Sequence, residues 1–286
     1  MKELIVISGK GGTGKTSLMS AFASLAENKV LCDADVDAAD LHLITAPDVR
    51  ERYDFQGGNT AVIRADQCTQ CGLCRDMCKW NAISKEFEVD PIACEGCGVC
   101  VYFCPEKAID FPLSTCGEWF ISDTRFGPMV HARLGIAEEN SGRLVSLVRK
   151  EARDLAEAKK MEMILTDGPP GVGCPVIASI GGASAVLIVT EPTVSGWHDM
   201  ERVVALAHHF GVPVMVCVNK SDLNLETTQQ IEVFSKENGA ECVGRIPFDP
   251  VFTHAMVRGQ TLFEYDGASQ VGETIREIWE KVRERL

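Results

Sequence analysis

The sequence predicts an α/β fold, a doubly wound and mostly parallel sheet with helices on both faces, interrupted by a small inserted α+β domain. Three observations predict it. Short apolar runs alternate with amphipathic helical patterns, a glycine-rich turn joins the first run to the first helix, and eight of the 13 cysteines lie within 68–104. We expect the sheet domain to comprise 1–59 and 113–286, and the inserted domain to comprise 60–112.

The composition excludes several classes of protein. The 286 residues are 45% hydrophobic and carry a net charge of −13, which disfavours nonspecific binding to nucleic acid or anionic lipid. No apolar run approaches the roughly 18 residues that cross a bilayer, and the chain enters an apolar run at once, without a secretory signal pattern. We therefore expect a cytoplasmic protein with reduced thiols, and neither nucleic acid nor a membrane as partner.

The first apolar run, 4–7, leads into the glycine-rich stretch 9–16 and then into a helical pattern that extends to about Asn28. The stretch fits G-x-x-x-x-G-K-[ST], which binds phosphate when a strand precedes it and a helix follows. Glycines let backbone N–H groups approach a polyphosphate, Lys15 adds a charge, and the Thr16 hydroxyl can bind Mg²⁺. The alternative is a glycine-rich turn before an ordinary helix. The predicted nucleotide-binding residues of this stretch are Gly9, Lys10, Gly11, Gly12, Thr13, Gly14, Lys15, Thr16 and Ser17.

Carboxylates follow two further apolar runs. The run 30–32 is followed by Asp33 and Asp35, which are two residues apart and so face one side at the carboxyl end of a strand. The run 163–167 is a buried strand pattern that ends in an acid. Such carboxylates can hold the hydration shell of Mg²⁺ and orient water for attack on a γ-phosphate. Asp37 is better explained as a helix cap or turn residue. The predicted Mg²⁺ residues are Thr16, Asp33, Asp35 and Asp167.

The predicted insertion contains an internal repeat. The spacing C-x-x-C-x-x-C-x-x-x-C begins at Cys68 and recurs 26 positions later from Cys94. It is the spacing of bacterial [4Fe–4S] ferredoxins, in which three thiolates hold one cluster and the fourth reaches the other. Zinc or free thiols are the alternative, but zinc sites use two separated pairs of cysteines. Pro105 follows the second repeat as in ferredoxins, whereas Lys79 follows the first. The predicted ligands are Cys68, Cys71, Cys74 and Cys104 for one cluster, and Cys94, Cys97, Cys100 and Cys78 for the other.

The rest of the chain continues the α/β alternation. Ser141 is expected to cap a helix that extends to about Lys159. Further strands are predicted at 119–121, 130–134, 185–190, 212–218 and 241–246, and further helices at 195–210, 226–238 and 268–286. The last helix has an apolar stripe, which we expect to pack on the sheet. A membrane surface is the alternative, but the other face of the helix mixes acids with bases.

The phosphate loop has a second lysine before its central glycines and patterns as K-G-G-x-G-K-[ST]. In this it resembles the MinD/ParA/Mrp ATPases and the nitrogenase iron protein, and the insertion resembles one branch of that family. The resemblance implies a P-loop dimer that sandwiches two ATP molecules face to face, with Lys10 acting across the interface. It also implies that Asp35 is the hydrolytic residue and that Asp167 begins a switch loop that responds to the γ-phosphate. The predicted catalytic residues are Lys10, Lys15, Asp35 and Asp167.

The resemblance also covers residues near the nucleotide base and one further cysteine. Asn219 and Lys220 end a predicted strand, where an amide can read the base edge, and Pro247 begins a loop that resembles one near the base. A simple turn residue is the alternative for Asn219. In the iron protein a cysteine at the offset of Cys174 binds an intersubunit cluster, but we favour a small buried thiol before a helix. Core thiols are expected at Cys32, Cys217 and Cys242.

Together these inferences predict an ATPase, stimulated by a partner, whose nucleotide state governs electron transfer through two [4Fe–4S] clusters to a protein redox partner. It would act as a homodimer or as a heterodimer with a paralogue. The second hypothesis is an iron–sulfur assembly or carrier ATPase that delivers to an iron–sulfur acceptor, as the Mrp branch implies. The third is a redox-sensing positioning ATPase. The predicted cofactors are ATP or ADP, Mg²⁺ and two [4Fe–4S] clusters.

Overall fold

A computed structural model describes residues 1–135 and 142–286. The predicted helix cap Ser141 lies outside the described residues. The described chain divides into two compact units. The first unit contains Met1–Tyr53, Trp119–Arg133 and the residues from 142 onward, and the second contains Asp54–Glu118 with Leu134 and Gly135.

Strands and helices alternate along most of the described chain. The strands are β1 (Lys2–Ser8), β2 (Lys29–Asp33), β3 (Asp48–Asn59), β4 (Val62–Ile63), β5 (Ile109–Asp110), β6 (Leu113–Thr124), β7 (Gly127–Leu134), β8 (Met163–Pro170), β9 (Ala185–Thr190), β10 (Val214–Asn219) and β11 (Glu241–Ile246). The helices are α1 (Lys15–Leu25), α2 (Leu41–Thr45), α3 (Leu73–Met77), α4 (Val99–Phe103), α5 (Arg143–Ala158), α6 (Cys174–Ile180), α7 (Val194–His209), α8 (Leu225–Glu237), α9 (Val251–Val257), α10 (Leu262–Asp266) and α11 (Gln270–Arg285).

One large sheet positions the predicted nucleotide residues. Its strand order is β11-β10-β9-β1-β8-β2-β7-β6-β3, and the pairs from β11 to β7 are parallel. The predicted α/β fold with a large, mostly parallel sheet is therefore confirmed. Because parallel strands end at the same edge, the carboxyl ends of β1, β2 and β8 meet there. Val6 and Asp33 are both in register with Asp167.

Apolar side chains cover both faces of the central strands. Leu4 and Val6 of β1 belong to one buried cluster, and Ile5 and Ile7 belong to the other, because successive side chains of a strand point to opposite faces. Both faces are thus buried under helices, as a parallel sheet requires.

Helix α11 buries its apolar stripe in the first of these clusters, as predicted. Val271, Ile275, Ile278 and Val282 are at most 3% exposed, and the ring of Trp279 lies 4.9 Å from that of Phe22. Within the described part of the chain, no helix is both long and apolar enough to span a bilayer.

Several elements are not predicted by the sequence. The first seven residues of β3 are exposed and most of them are charged or polar, so they show no alternation of apolar and polar side chains. Helices α2, α9 and α10 have five to seven residues, too few to establish a helical period. Asp37 lies in a turn after β2, in agreement with its predicted role.

In the second unit, the two halves of the cysteine repeat have matching backbone conformations. Helices α3 and α4 are each preceded by a glycine in the left-handed region, Gly72 at φ 83° and Gly98 at φ 71°. Gln70 and Gly96, two residues earlier, also have positive φ, at 56° and 60°. Strands β4 and β5 pair antiparallel. The two halves of the repeat are therefore built alike.

Candidate functional site

The phosphate loop joins β1 to α1, and the glycines at its two ends lie too close to other residues for a side chain to fit. Gly14 is the helix N-cap in the left-handed region at φ 87°, and a Cβ there would lie 2.3 Å from Nδ2 of Asn219. A Cβ at Gly9 would lie 2.1 Å from Cβ of Asp199. By contrast, a Cβ at Gly11 or Gly12 would have no other atom of the described chain within 4 Å. The loop is therefore closed at its ends and open in its middle, where a phosphate would approach.

Lys15 is buried at the centre of this site. Its Nζ lies 3.0 Å from Oδ2 of Asp35 and 2.9 Å from Oδ1 of Asp167, and the residue is 6% exposed. Burial by itself lowers the pKa of the ammonium, but the two carboxylates raise the pKa above its ordinary value. Lys15 is thus charged, and a bound phosphate would compete with these carboxylates for it.

The carboxylates of the site form a negative cluster with unmet hydrogen-bonding capacity. Burial and the charge of Asp167 raise the pKa of Asp33 well above its ordinary value, and burial raises the pKa of Asp35. Within the described residues, three buried oxygens have no hydrogen-bond partner: Thr13 Oγ1, Asp33 Oδ2 and Asp35 Oδ1. A buried polar atom without a partner is costly, so these atoms mark a place for a polar ligand.

These residues fit a hydrated Mg²⁺ ion. Thr16 Oγ1 donates to Oδ2 of Asp167 at 2.8 Å, which places a hydroxyl beside the acids as Mg²⁺ sites require. In the described parts of the chain, no three His, Cys, Asp or Glu side chains converge on a single-ion site. Mg²⁺ usually retains several waters and binds through one or two carboxylates and the phosphates. Asp33, Asp35, Asp167 and Thr16 can therefore hold it together with a nucleotide.

A second charged cluster surrounds Lys10. Its Nζ lies 3.5 Å from Oε2 of Glu191 and within 3.4 Å of the hydroxyls of Thr193 and Ser195. Glu191 also accepts from Lys220 Nζ at 2.5 Å. The sequence analysis missed Glu191, although an acid directly after a buried strand was the signal that identified Asp33.

A cleft of about 660 Å³ continues from the phosphate loop to the loop after β11. Asn219 lies between them, but its amide is bonded to backbone: Nδ2 donates to Thr13 O at 2.7 Å and Oδ1 accepts from Lys220 N at 2.9 Å. Lys220 Nζ also donates to Gly12 O, at 3.4 Å. The other lining residues are Gly14, Ser17, Leu18, Val189, Ile246, Pro247, Phe248, Asp249, Phe252, Thr253 and Met256. The predicted base-side residues Asn219, Lys220 and Pro247 therefore share one cleft with the phosphate loop.

The eight cysteines of the repeat line two cavities of about 330 Å³ each in the second unit. The first of these cavities is lined by Cys68, Cys71, Cys74 and Cys104. The second is lined by Cys78, Cys94, Cys97 and Cys100. Each cavity thus receives three cysteines from one half of the repeat and the fourth from the other half.

One sulfur in each cavity accepts a hydrogen bond from a backbone N–H group. The N–H groups of Ala82 and Ala108 donate to the sulfurs of Cys78 and Cys104, at 3.4 Å and 3.3 Å. Where such thiolates hold an iron–sulfur cluster, hydrogen bonds to sulfur are among the factors that set its potential.

The remaining cysteines differ in exposure. Cys174, the first residue of α6, is exposed, so the expected buried thiol at this position is wrong: the helix begins at the surface rather than in the core. Cys32, Cys217 and Cys116 are buried, and Cys242 is partly buried. The core positions expected for Cys32 and Cys217 are confirmed. Burial raises the pKa of Cys242 to about 11, with a further contribution from Glu232.

The fold and this site define a nucleotide-binding protein with a phosphate loop at the edge of a doubly wound sheet. The chain belongs to the CobQ/CobB/MinD/ParA nucleotide binding domain family (CbiA), whose sequence profile matches residues 4–262.

Comparisons with individual proteins agree with this family. The chain is 31% identical over 286 residues to the uncharacterized protein MJ0578 of Methanocaldococcus jannaschii, covering 99% of this chain and 96% of that protein. Its fold is similar to that of septum site-determining protein MinD complexed with Mg-ADP from Pyrococcus horikoshii, with a TM-score of 0.59, 18% identity, and coverage of 98% and 95%. A short match, 40% identical over 38 residues, relates it to the uncharacterized ferredoxin MJ0199 of M. jannaschii, covering 13% of this chain and 61% of that protein.

Proposed function

We propose that this protein is an ATPase, working as a dimer, whose nucleotide state governs electron transfer through two [4Fe–4S] clusters to a protein partner. The observation that carries the proposal is the crossed pairing of the cysteines. Cys104 lines the cavity of the first repeat and Cys78 lines the cavity of the second, which is the ligand exchange of two-cluster ferredoxins. Residues 60–112 are accordingly proposed as an inserted ferredoxin-like domain.

The chain's own residues account for the nucleotide half of the proposal. Lys15 would exchange its two carboxylate partners for the β- and γ-phosphates, while Thr16 and the released acids hold hydrated Mg²⁺. Asp35 is proposed to orient the attacking water. Asp167 lies within β8, and the loop after this strand begins at Gly171, whose N–H donates to Ser8 O at 2.8 Å. That loop therefore lies against the end of β1, where the state of the phosphate can alter it.

For the redox half, two [4Fe–4S] clusters would supply one-electron transfer at low potential. Four cysteines around each cavity form a complete ligand set, which favours permanently held clusters. A carrier must release its cluster, and ligands that are shared between two halves of a repeat oppose release. The short ferredoxin match supports the same assignment.

An anaerobic experiment tests the proposal. Iron per chain and the EPR spectrum of the reduced protein are measured without nucleotide, with ADP, and with a non-hydrolysable ATP analogue. We expect about eight irons per chain and a midpoint potential that changes with the triphosphate. The Lys15→Met variant is the matched control, since it should keep its iron and lose the nucleotide response.

Two outcomes would overturn the proposal. Iron content that differs from two clusters would remove its redox half. Full iron content with no nucleotide response, combined with nucleotide-dependent passage of iron to an apo-acceptor, would establish the carrier function instead. In that case the exposed Cys174 becomes the first residue to substitute.

A further inference from the structure

A groove of about 910 Å³ lies beside the first cysteine cavity of the second unit. Residues 60–63, which include β4, line it together with residues 86–89. Ile63, Cys68 and Phe87 line both this groove and the first cysteine cavity. The groove is therefore adjacent to that cavity through one of the predicted cluster ligands.

Strand β4 has one edge towards β5 and the other towards the groove. The backbone N–H groups of Thr60 and Arg64 donate to carbonyl oxygens on either side of β5, at 3.2 Å and 2.8 Å. Hydrogen-bonding residues alternate along an antiparallel strand, so the N–H and C=O groups of Ala61 and Ile63 point away from β5. Ile63 is partly exposed. An extended chain in the groove can therefore exchange a pair of hydrogen bonds with Ile63.

A tight turn fixes two acids at the groove. The Ser84 hydroxyl accepts from the backbone N–H groups of Glu86 and Glu88, at 3.1 Å and 3.2 Å, and Ser84 N–H donates to Glu88 O at 2.9 Å. Both glutamates are exposed. Of the described residues that line the groove, those with charged side chains are these two acids. The charge of the groove is therefore complementary to a cationic ligand.

The residue between these acids links the groove to the first cysteine cavity. Phe87 has a left-handed backbone conformation at φ 60°, which costs a bulky residue about 1 kcal/mol or more. Its ring lines both the groove and the cavity, and the guanidinium carbon of Arg75 lies 5.8 Å from the ring centroid. One turn thus places negative charge at the groove and an aromatic ring beside the proposed cluster.

We infer that the redox partner docks in this groove through an extended segment that carries lysine or arginine, and that the first cluster donates electrons to it. The inference rests on the proposed function, because it assumes that clusters fill the cysteine cavities. In the transfer step, one electron leaves the reduced first cluster, which is oxidised, and a haem or iron–sulfur centre of the partner is reduced. Electron transfer slows steeply with distance. Cys68 lines the groove, whereas the predicted ligands of the second cluster line a different cavity.

Reduction of ferric cytochrome c, a cationic haem protein, tests the charge of the groove. The full, iron-loaded protein is reduced and freed of excess reductant, and the second-order rate is measured at low ionic strength. Glu86→Gln with Glu88→Gln should slow this reaction about tenfold and should leave the reduction of an uncharged benzoquinone unchanged. Glu226→Gln with Glu237→Gln, which removes the same charge from α8, is the matched control and should leave both rates unchanged.

A blocked peptide of alternating Lys and Val tests the pairing with the strand edge. It should inhibit the reduction of cytochrome c by the wild-type protein. The same peptide with every backbone nitrogen methylated should inhibit about tenfold less well, because it cannot form the pair of hydrogen bonds with Ile63.

Single-cluster variants test which cluster donates the electron. Cys68→Ala should retain the second cluster and Cys94→Ala the first, each with about four irons per chain. We expect Cys68→Ala to reduce cytochrome c at least about tenfold more slowly than Cys94→Ala, since only the second protein keeps the cluster beside the groove. Iron analysis identifies any variant that fails to retain its remaining cluster.

The outcomes separate this inference from the proposed function. A rate for Glu86→Gln with Glu88→Gln that equals the control rate overturns docking at the groove. Equal inhibition by the two peptides overturns the strand pairing, and a slower reaction in Cys94→Ala overturns the assignment to the first cluster. None of these results measures the response to nucleotide, so each leaves the proposed function in place. An iron content that differs from two clusters in the wild-type protein overturns both.

Discussion

Lys10 is paired with Glu191 of its own chain, 3.5 Å from Nζ to Oε2. The family resemblance implies that this lysine acts across a dimer interface, so it must leave Glu191 before it can contact a partner. Glu191 is 7% exposed and also binds Lys220, which holds it in place. The pair would therefore oppose the proposed dimerisation.

Glu191→Gln is expected to strengthen dimerisation. Removing the charge weakens the hold on Lys10, and a partly exposed pair of this kind contributes up to about 1 kcal/mol, or about fivefold in a dissociation constant. Sedimentation with a saturating non-hydrolysable triphosphate analogue measures this constant. Glu201→Gln, an equal change of charge on α7, should leave it unaltered. An unchanged constant in Glu191→Gln would mean that the pair does not restrain Lys10.

The crossed cysteine sets make a prediction about iron content in double variants. Cys68 and Cys104 line one cavity, and Cys78 lines the other. Cys68→Ala and Cys104→Ala should each lose about four of eight irons, and the two together should lose no more. Cys68→Ala combined with Cys78→Ala should lose all of them. Iron analysis after anaerobic reconstitution gives the counts.

Cys116→Ala is the matched control for these variants. Cys116 is a buried cysteine of the second unit that lines neither cavity, so its substitution should retain about eight irons. Circular dichroism identifies any variant that fails to fold. If the Cys68 and Cys104 losses add to eight irons, the crossed assignment is wrong.

The buried pair of Glu3 and Arg149 makes a prediction about stability. Arg149 donates two hydrogen bonds to Glu3, at 2.8 Å and 2.9 Å, and both side chains are at most 5% exposed. Arg149→Met would remove two hydrogen bonds from the buried Glu3 carboxylate, which keeps Arg153 and Thr166 as partners, and we expect a loss of up to about 3 kcal/mol in the free energy of unfolding. Urea denaturation measures it. Adding Glu3→Gln should restore part of the loss, because the buried charge that has lost two of its donors is then removed. A double variant less stable than Arg149→Met would contradict this account.

His131 predicts a pH dependence. Burial, with a smaller contribution from His42, lowers the pKa of His131 from 6.5 to about 4, and its Nε2 lies 2.9 Å from Ser122 Oγ. The unfolded chain therefore binds more protons between pH 6.5 and 4, so stability is full above pH 6.5 and decreases as the pH falls below it.

The slope is about 1.4 kcal/mol per pH unit at most. Unfolding free energies in urea between pH 7.5 and 5.5 should decrease below pH 6.5 in the wild-type protein. They should decrease less in His131→Asn, which keeps a polar side chain beside Ser122. Equal slopes in the two proteins would show that His131 is not the group responsible.

The sequence predicts best where local pattern and chemistry coincide. The strand before the phosphate loop, the acids at 33 and 167, and the helix that begins at Gln270 all follow from apolar periodicity and from the residues that end each run. These patterns are the reason why the large parallel sheet could be predicted from the sequence. The exposed strand Asp48–Asn59 has no such pattern, because its charged side chains point to water rather than into a core.

Relations between distant residues are beyond such patterns. Glu191 is 181 positions from Lys10 and meets it only because β9 lies next to β1 in the sheet. The engagement of Asn219 with Thr13 likewise depends on how close β10 approaches the phosphate loop. Cys174 appears in the sequence as a small residue before a proline, and only the packing of α6 reveals that its thiol is exposed.

Three buried oxygens, one each from Thr13, Asp33 and Asp35, have no partner in the described chain. Because of them, the melting temperature depends on whether a ligand occupies the site. Each such atom costs about 1–3 kcal/mol when left unsatisfied, and a ligand that supplies partners removes that cost only in the folded state. The folded population then depends on the cellular concentration of that ligand. A shortage of that ligand would therefore shorten the lifetime of the protein in the cell.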